Sequence, residues 1–209
     1  MPVSDPTPLI VNPVIPVVTI ESARDAAPLA RALLAGGLRV VEITLRTPAA
    51  LDAIRAIVAE VPDVIVGAGT LLTPSDVTRA IAAGAHFLVT PGTPPSLVPA
   101  LRDAPVPAMP GCATVSEAMA LAASGFSVLK FFPAEQSGGA RWLKSVSEPL
   151  PHIRFCPTGG INGGNAADYL ALRTVIAVGG SWIAPAQAIA TGDFAGITAR
   201  AAAALKLRA

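Results

Sequence analysis

The sequence predicts an α/β fold in which eight parallel strands alternate with helices and close into a (β/α)8 barrel. Two observations support this prediction: short β-type runs recur along the chain, and alanine-rich segments with helical periodicity separate them. Strict alternation over 209 residues, without a long linker, is typical of a parallel sheet covered by helices. We therefore expect one domain over 1–209, with 1–13 as an N-terminal extension. A doubly wound open sheet is the alternative fold.

The eight expected strands are rich in β-branched and other apolar residues. They are VIPVVTI (14–20), RVVEITL (39–45), VIVGAG (64–69), HFLVTPG (86–92), PVPAMPG (105–111), SVLKFFP (127–133), RFCPTGG (154–160) and VIAVGGSW (175–182). The segments between them begin near Ser, Thr or Asp, which cap helix N-termini, and often end on Gly, which suits a helix C-terminus. Examples are SARDAAPLARALLAGG (22–37) and TVSEAMALAASG (114–125). We expect each connector to be one helix.

The composition argues against several classes of partner. The net charge is +1, with 15 basic and 14 acidic residues scattered along the chain, so we expect neither nucleic acid nor a membrane surface as a partner. No apolar stretch reaches the roughly 18 residues of a membrane span, and the N-terminus lacks the features of a secretory signal. We expect a cytoplasmic protein that binds small molecules. His86, His152, Cys112 and Cys156 show no ligand spacing, so we expect no metal and no cofactor.

Lys130 is the strongest candidate for chemistry. It lies within the apolar run VLKFFP (128–133), near the C-terminal end of an expected strand, where barrels of this kind collect their ligands. Burial disfavours an ammonium ion, so we expect a useful fraction of neutral amine that can attack a ketone carbonyl. The alternative is a structural ion pair with a buried carboxylate. Lys144 and Lys206 lie in helical, solvent-facing contexts and are poor rivals.

Glu42 is the only acid in the middle of an expected strand. The two-residue period of a strand places Glu42, Thr44 and Arg46 on one side, if the strand continues that far. A carboxylate beside an imine-forming lysine can move protons, and an arginine can bind a substrate carboxylate through two hydrogen bonds. A plain Glu42–Arg46 ion pair is the alternative.

Glycine pairs follow the seventh and eighth expected strands, in TGGIN (158–162) and GGSW (179–182). Between a strand and a helix, free backbone N–H groups and the helix dipole favour an anion. A phosphate site after strands seven and eight recurs in such barrels. We therefore expect a phosphate site here, with a plain turn function for the glycines as the alternative.

Taken together, six motifs resemble those of the 2-keto-3-deoxy-6-phosphogluconate (KDPG) aldolase family. They are EITLRT (42–47), VGAGT (66–70), PGCATVSE (110–117), LKFFPAE (129–135), CPTGGI (156–161) and GGSW (179–182). The resemblance covers nearly the whole chain. It implies a lyase of the class I type on a trimeric (β/α)8 barrel, which cleaves the phosphorylated keto acid to pyruvate and glyceraldehyde 3-phosphate.

The resemblance also implies a role for each matching residue. Lys130 would form the Schiff base and Glu42 would be the general acid and base, while Arg46 and Thr70 would bind the pyruvate carboxylate. Pro91 and Phe132 would form walls of the pocket, and Thr158 would recognise a sugar hydroxyl. The phosphate would be bound by Gly159, Gly160, Gly180 and Ser181.

Four other interpretations of the activity remain. The GCAT sequence in PGCATVSE also resembles the related galactonate aldolase, although Thr158 before its glycine pair favours the gluconate substrate. Cleavage of 4-hydroxy-2-oxoglutarate to pyruvate and glyoxylate is a possible second activity, since many family members have it. A phosphosugar isomerase or a non-catalytic phosphosugar-binding barrel would share the fold and the phosphate site, but would not need a buried amine.

Overall fold

A computed structural model of the chain describes residues 4–7 and 11–208, so the expected extension 1–13 lies partly outside the described residues. Nine strands occur in this part of the chain, and every pairing between them is parallel. They are β1 (Val14–Val18), β2 (Val40–Thr44), β3 (Ile65–Gly69), β4 (Phe87–Val89), β5 (Ala108–Met109), β6 (Gly111–Cys112), β7 (Val128–Phe131), β8 (Arg154–Pro157) and β9 (Val178–Gly180).

The strands form two parallel sheets that curl into a half-barrel. Six strands pair in the order β5-β4-β3-β2-β1-β9, and three pair in the order β6-β7-β8. Isolated bridges join Phe155 to Val175 and Thr158 to Gly179, so β8 approaches the segment that contains β9. The expected α/β fold with parallel strands is therefore confirmed.

The expected fifth strand, 105–111, is wrong in its extent, because it is divided into β5 and β6 at Pro110. Proline has no N–H to donate to a neighbouring strand, so the ladder stops at this residue. The chain compensates on both sides of the break. The N–H of Gly111 donates to Thr90 Oγ1 at 2.9 Å, and the carbonyl of Pro110 accepts from the N–H of Lys130 at 3.0 Å.

Helices follow most of the strands, as the alternation predicts. The α-helices of the described residues are α1 (Ala26–Ala35), α2 (Ala50–Glu60), α3 (Pro74–Ala82), α4 (Val98–Arg102), α5 (Val115–Ala123), α6 (Gly139–Ser147), α7 (Ala166–Leu170), α8 (Ala186–Ala190) and α9 (Phe194–Leu205). Thr73 and Thr114 each cap a helix in a reciprocal capping box. Over residues 4–7 and 11–208, none of the helices combines the length and the apolar character that crossing a membrane demands.

Two apolar clusters hold the strands in place. The larger one packs the helices against the outer face of the sheets. The smaller one lies on the inner face and is formed by Ile15, Val40, Phe87, Val89, Met109, Val128, Cys156 and Ala177. Because side chains alternate between the faces of a strand, the residues two positions beyond Val40 and Val128 also face inward. These residues are Glu42 and Lys130, so the smaller cluster packs next to them on the inner face.

Candidate active site

Lys130 and Glu42 form a buried ion pair. The Lys130 Nζ atom lies 3.1 Å from Glu42 Oε1 and 3.5 Å from Oε2, and the two side chains are only 6% and 4% exposed. The expected burial of Lys130 is confirmed, and Lys144 and Lys206 are exposed, as expected. Separated by 88 positions in the sequence, the amine and the carboxylate meet because β2 and β7 both direct them inward.

Gly69 provides the space for the Glu42 carboxylate. A Cβ atom at this position would lie 2.0 Å from Glu42 Oε1 and 2.6 Å from its Cδ. Any side chain at the end of β3 would therefore displace the carboxylate. The ring of Phe132 limits the amine from another direction, with its centroid 5.6 Å from Lys130 Nζ. The ion pair thus occupies a site whose shape is set by a glycine and an aromatic ring.

Arg46 is exposed and contacts Thr70 rather than Glu42. Its Nε–H donates to Thr70 Oγ1 at 3.2 Å, and no carboxylate among the described residues pairs with it. The alternative of a Glu42–Arg46 ion pair is therefore wrong. Thr70 has a φ of 59°, which is a strained conformation for a β-branched residue and is typical of functional sites.

Most of the expected substrate-binding residues line one open cleft of about 610 Å³. Its lining includes seven of them, namely Arg46, Phe132, Thr158, Gly159, Gly160, Gly180 and Ser181. Thr70 reaches the cleft only through its hydrogen bond to Arg46. Pro91 does not line it, and its backbone instead packs against Gly111, the register partner of Lys130.

The backbone of the loop after β8 is oriented by three hydrogen bonds. The carbonyl of Thr158 accepts from the N–H of Ala134 at 2.8 Å, and the carbonyl of Gly159 accepts from the N–H of Glu135 at 3.1 Å. The carbonyl of Gly160 accepts from Asn165 Nδ2 at 3.2 Å. In a planar trans peptide the N–H points opposite to the carbonyl. The next N–H groups, on Gly159, Gly160 and Ile161, therefore point away from these three donors.

The glycine pairs come before a helix in the chain, as expected, but they do not adjoin it. Helix α7 begins at Ala166 and α8 begins at Ala186, so a loop separates each pair from its helix. Short loops of this kind need positive φ values, and Gly159 and Gly160 have φ of 102° and 76°. The backbone amides of the loops, rather than a helix N-terminus, are thus the groups that a bound anion would meet.

Cys112 and Cys156 are buried and are not joined in a disulfide. Burial raises the pKa of the Cys156 thiol to about 12, with the charge of Lys130 acting to lower it and the charge of Glu42 acting to raise it. Burial, with the charge of Glu117, likewise raises the pKa of Cys112 to about 12. Both thiols stay neutral near pH 7, so Cys156 adds no charge beside the ion pair.

Sequence reasoning missed part of the cleft wall. The cleft is also lined by Val17, Thr19, Ile161, Asn162, Gly179, Trp182, Ala184, Pro185 and Ala186. Thr19 lies near the end of an expected strand and could have been found by the same two-residue period that singled out Thr44. No such rule singles out Trp182, because its position depends on a contact that the sequence does not reveal. Its ring packs on the backbone of Gly180, where an added Cβ would lie 1.6 Å from a ring carbon.

The fold and the site define a class of protein. Parallel α/β proteins with a buried lysine beside a carboxylate, next to an open cleft at the carboxyl ends of the strands, are suited to imine chemistry on carbonyl compounds. Comparison with known proteins makes the assignment more specific. The family model for KDPG and KHG aldolase matches residues 8–200 of this chain, where KHG is 2-keto-4-hydroxyglutarate, another name for 4-hydroxy-2-oxoglutarate.

Individual relatives agree with the family model. The chain is 49% identical over 193 residues to the 2-dehydro-3-deoxy-phosphogluconate aldolase of Dickeya dadantii, covering 92% of this chain and 91% of that protein. It is 48% identical over 190 residues to the KHG/KDPG aldolase of Escherichia coli K12, covering 91% and 89%. The chain belongs to the KDPG and KHG aldolase family.

A solved structure extends the agreement to three dimensions. The crystal structure of KDPG aldolase from Legionella pneumophila, with pyruvate captured at low pH as a covalent carbinolamine intermediate, superposes with a TM-score of 0.94. The two chains are 43% identical, and the match covers 97% of this chain and 98% of that one.

Proposed function

We propose that this protein is a class I aldolase that cleaves 2-keto-3-deoxy-6-phosphogluconate to pyruvate and D-glyceraldehyde 3-phosphate. The observation that carries the proposal is the buried Lys130–Glu42 pair, with Nζ 3.1 Å from Oε1. A single proton transfer across this hydrogen bond yields a neutral amine and a carboxylic acid, which are the forms that imine formation requires. The names of the relatives supply the substrate class.

The reaction can be written with these two residues alone. Lys130 Nζ adds to C2 of the keto acid, and Glu42 delivers the protons that convert the carbinolamine to an iminium ion and water. The Glu42 carboxylate then removes the proton of the C4 hydroxyl. The C3–C4 bond breaks, its electron pair moves into the enamine, and C4 leaves as the aldehyde. Protonation at C3 and hydrolysis of the iminium ion release pyruvate and restore Lys130.

Arg46 and Thr70 are proposed to hold the carboxylate of the keto acid. Arg46 is a planar donor without a protein carboxylate partner among the described residues, and its hydrogen bond to Thr70 fixes its direction. Phe132 and Pro91 are proposed to wall the pocket on either side of Lys130. Thr158 is buried on the inner face next to Gly179 and is proposed to recognise a hydroxyl of the sugar chain.

Gly159, Gly160, Gly180 and Ser181 are proposed to bind the phosphate. The orientation of the first loop supports this role, because three consecutive carbonyls are occupied elsewhere and the N–H groups between them face away from those donors. The end of β9 and the loop after it join the same cleft through Gly180 and the exposed Ser181, respectively. In this arrangement the reacting carbonyl lies at Lys130 and the phosphate lies at these loops, and the six-carbon chain extends along the cleft between them.

The assembly proposed for the protein is a single (β/α)8 domain that forms a homotrimer in the cytoplasm. Closure of the strands into a full barrel is supported by the bridge between Thr158 and Gly179 and by the single proline that separates β5 from β6. The trimer follows from the family resemblance, and the cytoplasmic location from the features of the N-terminal sequence. Light scattering of the purified protein should give three times the mass of one chain.

The experiment that tests the function is a cleavage assay with authentic substrates. Purified protein is mixed with the gluconate substrate, its galactonate epimer or 4-hydroxy-2-oxoglutarate, and pyruvate is measured by reduction to lactate. We expect fastest release from the gluconate substrate and a slower release from 4-hydroxy-2-oxoglutarate. Faster cleavage of the galactonate epimer would reassign the substrate, and no release from any of the three would reject the aldolase.

A further inference from the structure

Thr19 lies one level above the ion pair on the inner wall of the cleft. Val17 in β1 is the register partner of Glu42, and both Val17 and Thr19 line the cleft. Thr19 is the next inward-facing position along the chain, about 6.6 Å towards the carboxyl end of the strand. Its neighbour across the strands is Thr44, the next inward-facing residue after Glu42.

Thr158 lies on the other side of β9 and also lines the cleft. Lys130 is the register partner of Cys156, and Thr158 is two residues beyond Cys156. Because β9 pairs with β1 on one side and is bridged to Thr158 on the other, Thr19 and Thr158 flank this strand. A chain that extends from Lys130 towards Gly180 and Ser181 therefore passes both hydroxyl groups.

The hydroxyl hydrogen of Thr19 is committed to the protein. Thr44 Oγ1 lies 3.1 Å from the carbonyl oxygen of Val18, which can only accept, so Thr44 donates its one hydrogen there. Thr19 Oγ1 lies 2.9 Å from Thr44 Oγ1, and therefore Thr19 is the donor of that pair. Its oxygen keeps free lone pairs, so Thr19 meets a ligand only as a hydrogen-bond acceptor.

Thr19 and Thr158 both offer acceptors in this part of the cleft, since Thr158 Oγ1 donates its hydrogen to the carbonyl of Cys156 at 3.4 Å. Arg46 and the backbone amides of the glycine loop are donors, which suit the carboxylate and the phosphate at the two ends of the substrate. The hydroxyl groups between those ends must donate their hydrogens to an acceptor on the wall. The proton of the C4 hydroxyl is consumed in the cleavage step, so the C5 hydroxyl is the group that requires a lasting acceptor.

We propose that Thr19 is a specificity-determining residue that accepts a hydrogen bond from the C5 hydroxyl of the substrate. The proposal rests on the aldolase function proposed above. In this proposal Thr19 selects between the two configurations at C5, while Thr158 is the other threonine on the cleft wall that faces the sugar chain. A hydroxyl of the opposite configuration points away from the Thr19 oxygen and loses this hydrogen bond.

The test uses the reverse reaction, in which pyruvate condenses with an aldehyde. C5 of the product is C2 of the aldehyde, so D- and L-glyceraldehyde 3-phosphate differ at the one centre that Thr19 contacts. The measured quantity is the ratio of kcat/KM for the D aldehyde to that for the L aldehyde. This ratio does not depend on how much of a preparation is folded.

Thr19→Val keeps the shape of the side chain but removes the acceptor oxygen. It should lower the D-to-L ratio about fivefold, as expected for one neutral hydrogen bond. Thr19→Ser keeps the oxygen and should retain the wild-type ratio. Thr44→Val breaks the same pair of hydroxyls but leaves the Thr19 oxygen in the cleft, so its ratio should stay close to that of wild type.

The possible outcomes separate the two proposals. If the wild-type protein condenses pyruvate with neither aldehyde, the aldolase function itself fails. If the wild-type protein is active but its D-to-L ratio is near 1, or Thr19→Val leaves the ratio unchanged, only the role of Thr19 is overturned. An equal fall in Thr19→Val and Thr44→Val would also overturn it, because the hydroxyl pair would then act through the structure of the strands.

Discussion

Replacing Gly69 by alanine should disable the enzyme although Gly69 is not itself proposed to contact the substrate. The added Cβ would lie 2.0 Å from Glu42 Oε1, whereas ordinary contacts begin at 3.4 Å, so the carboxylate must move by about 1.4 Å. A misplacement of about 1 Å can cost on the order of 10²-fold in rate. We therefore expect kcat for pyruvate release to fall about 10²-fold.

The stability of the same variant is informative. Separating a buried amine from its carboxylate costs up to about 3–5 kcal/mol, which urea unfolding would detect. Adding Glu42→Asp to Gly69→Ala shortens the acid by one methylene and should restore part of the stability but not the activity.

Gly92→Ala is the matched control for this experiment. Gly92 lies in the loop after β4, and nothing lies within 4 Å of a Cβ built there. This variant should keep wild-type stability and activity. If Gly69→Ala also keeps normal turnover, the position of the Glu42 carboxylate does not control the reaction, and the reasoning is refuted.

Three further substitutions test the other parts of the site. Glu42→Gln keeps the shape of the side chain but cannot exchange a proton, so pyruvate release should slow about 10²-fold or more; near-normal turnover would leave Glu42 only as the ion-pair partner of Lys130. Ser181→Asp should raise KM for the phosphorylated substrate and spare 4-hydroxy-2-oxoglutarate, because the new carboxylate repels the phosphate; equal losses on both substrates would move the phosphate elsewhere. Asn165→Asp replaces the amide that donates to the Gly160 carbonyl with an acceptor, so KM should rise for the phosphorylated substrate alone. An unchanged KM would show that phosphate binding does not depend on this orientation of the loop.

The order of elements could be predicted because alternation leaves a strong mark in the sequence. Each expected strand contains at least one observed strand, and the alanine-rich connectors form helices. The strand ends were less accurate. A run such as 105–111 reads as one strand by its apolar residues, whereas the missing N–H of Pro110 divides it.

The ion pair itself was only partly predictable. The rarity of charges in apolar strands singled out Lys130 and Glu42 separately, but spacing alone left a Glu42–Arg46 ion pair open as an alternative. The choice of partner depends on which strands face each other across the inside of the sheet, and local spacing carries no such information. For the same reason the space at Gly69 and the acceptor at Thr19 emerge only from the contacts between strands.

The central claim is that Lys130 forms an imine, and trapping tests it most directly. Pyruvate and borohydride should add one reduced adduct to the intact protein, and peptide mapping should place it on VLKFFPAE (128–135) rather than on Lys144 or Lys206. Lys130→Arg should abolish both labelling and cleavage, because a guanidinium stays protonated. An adduct on another lysine, or substrate cleavage by Lys130→Arg at a rate comparable to wild type, would contradict the account.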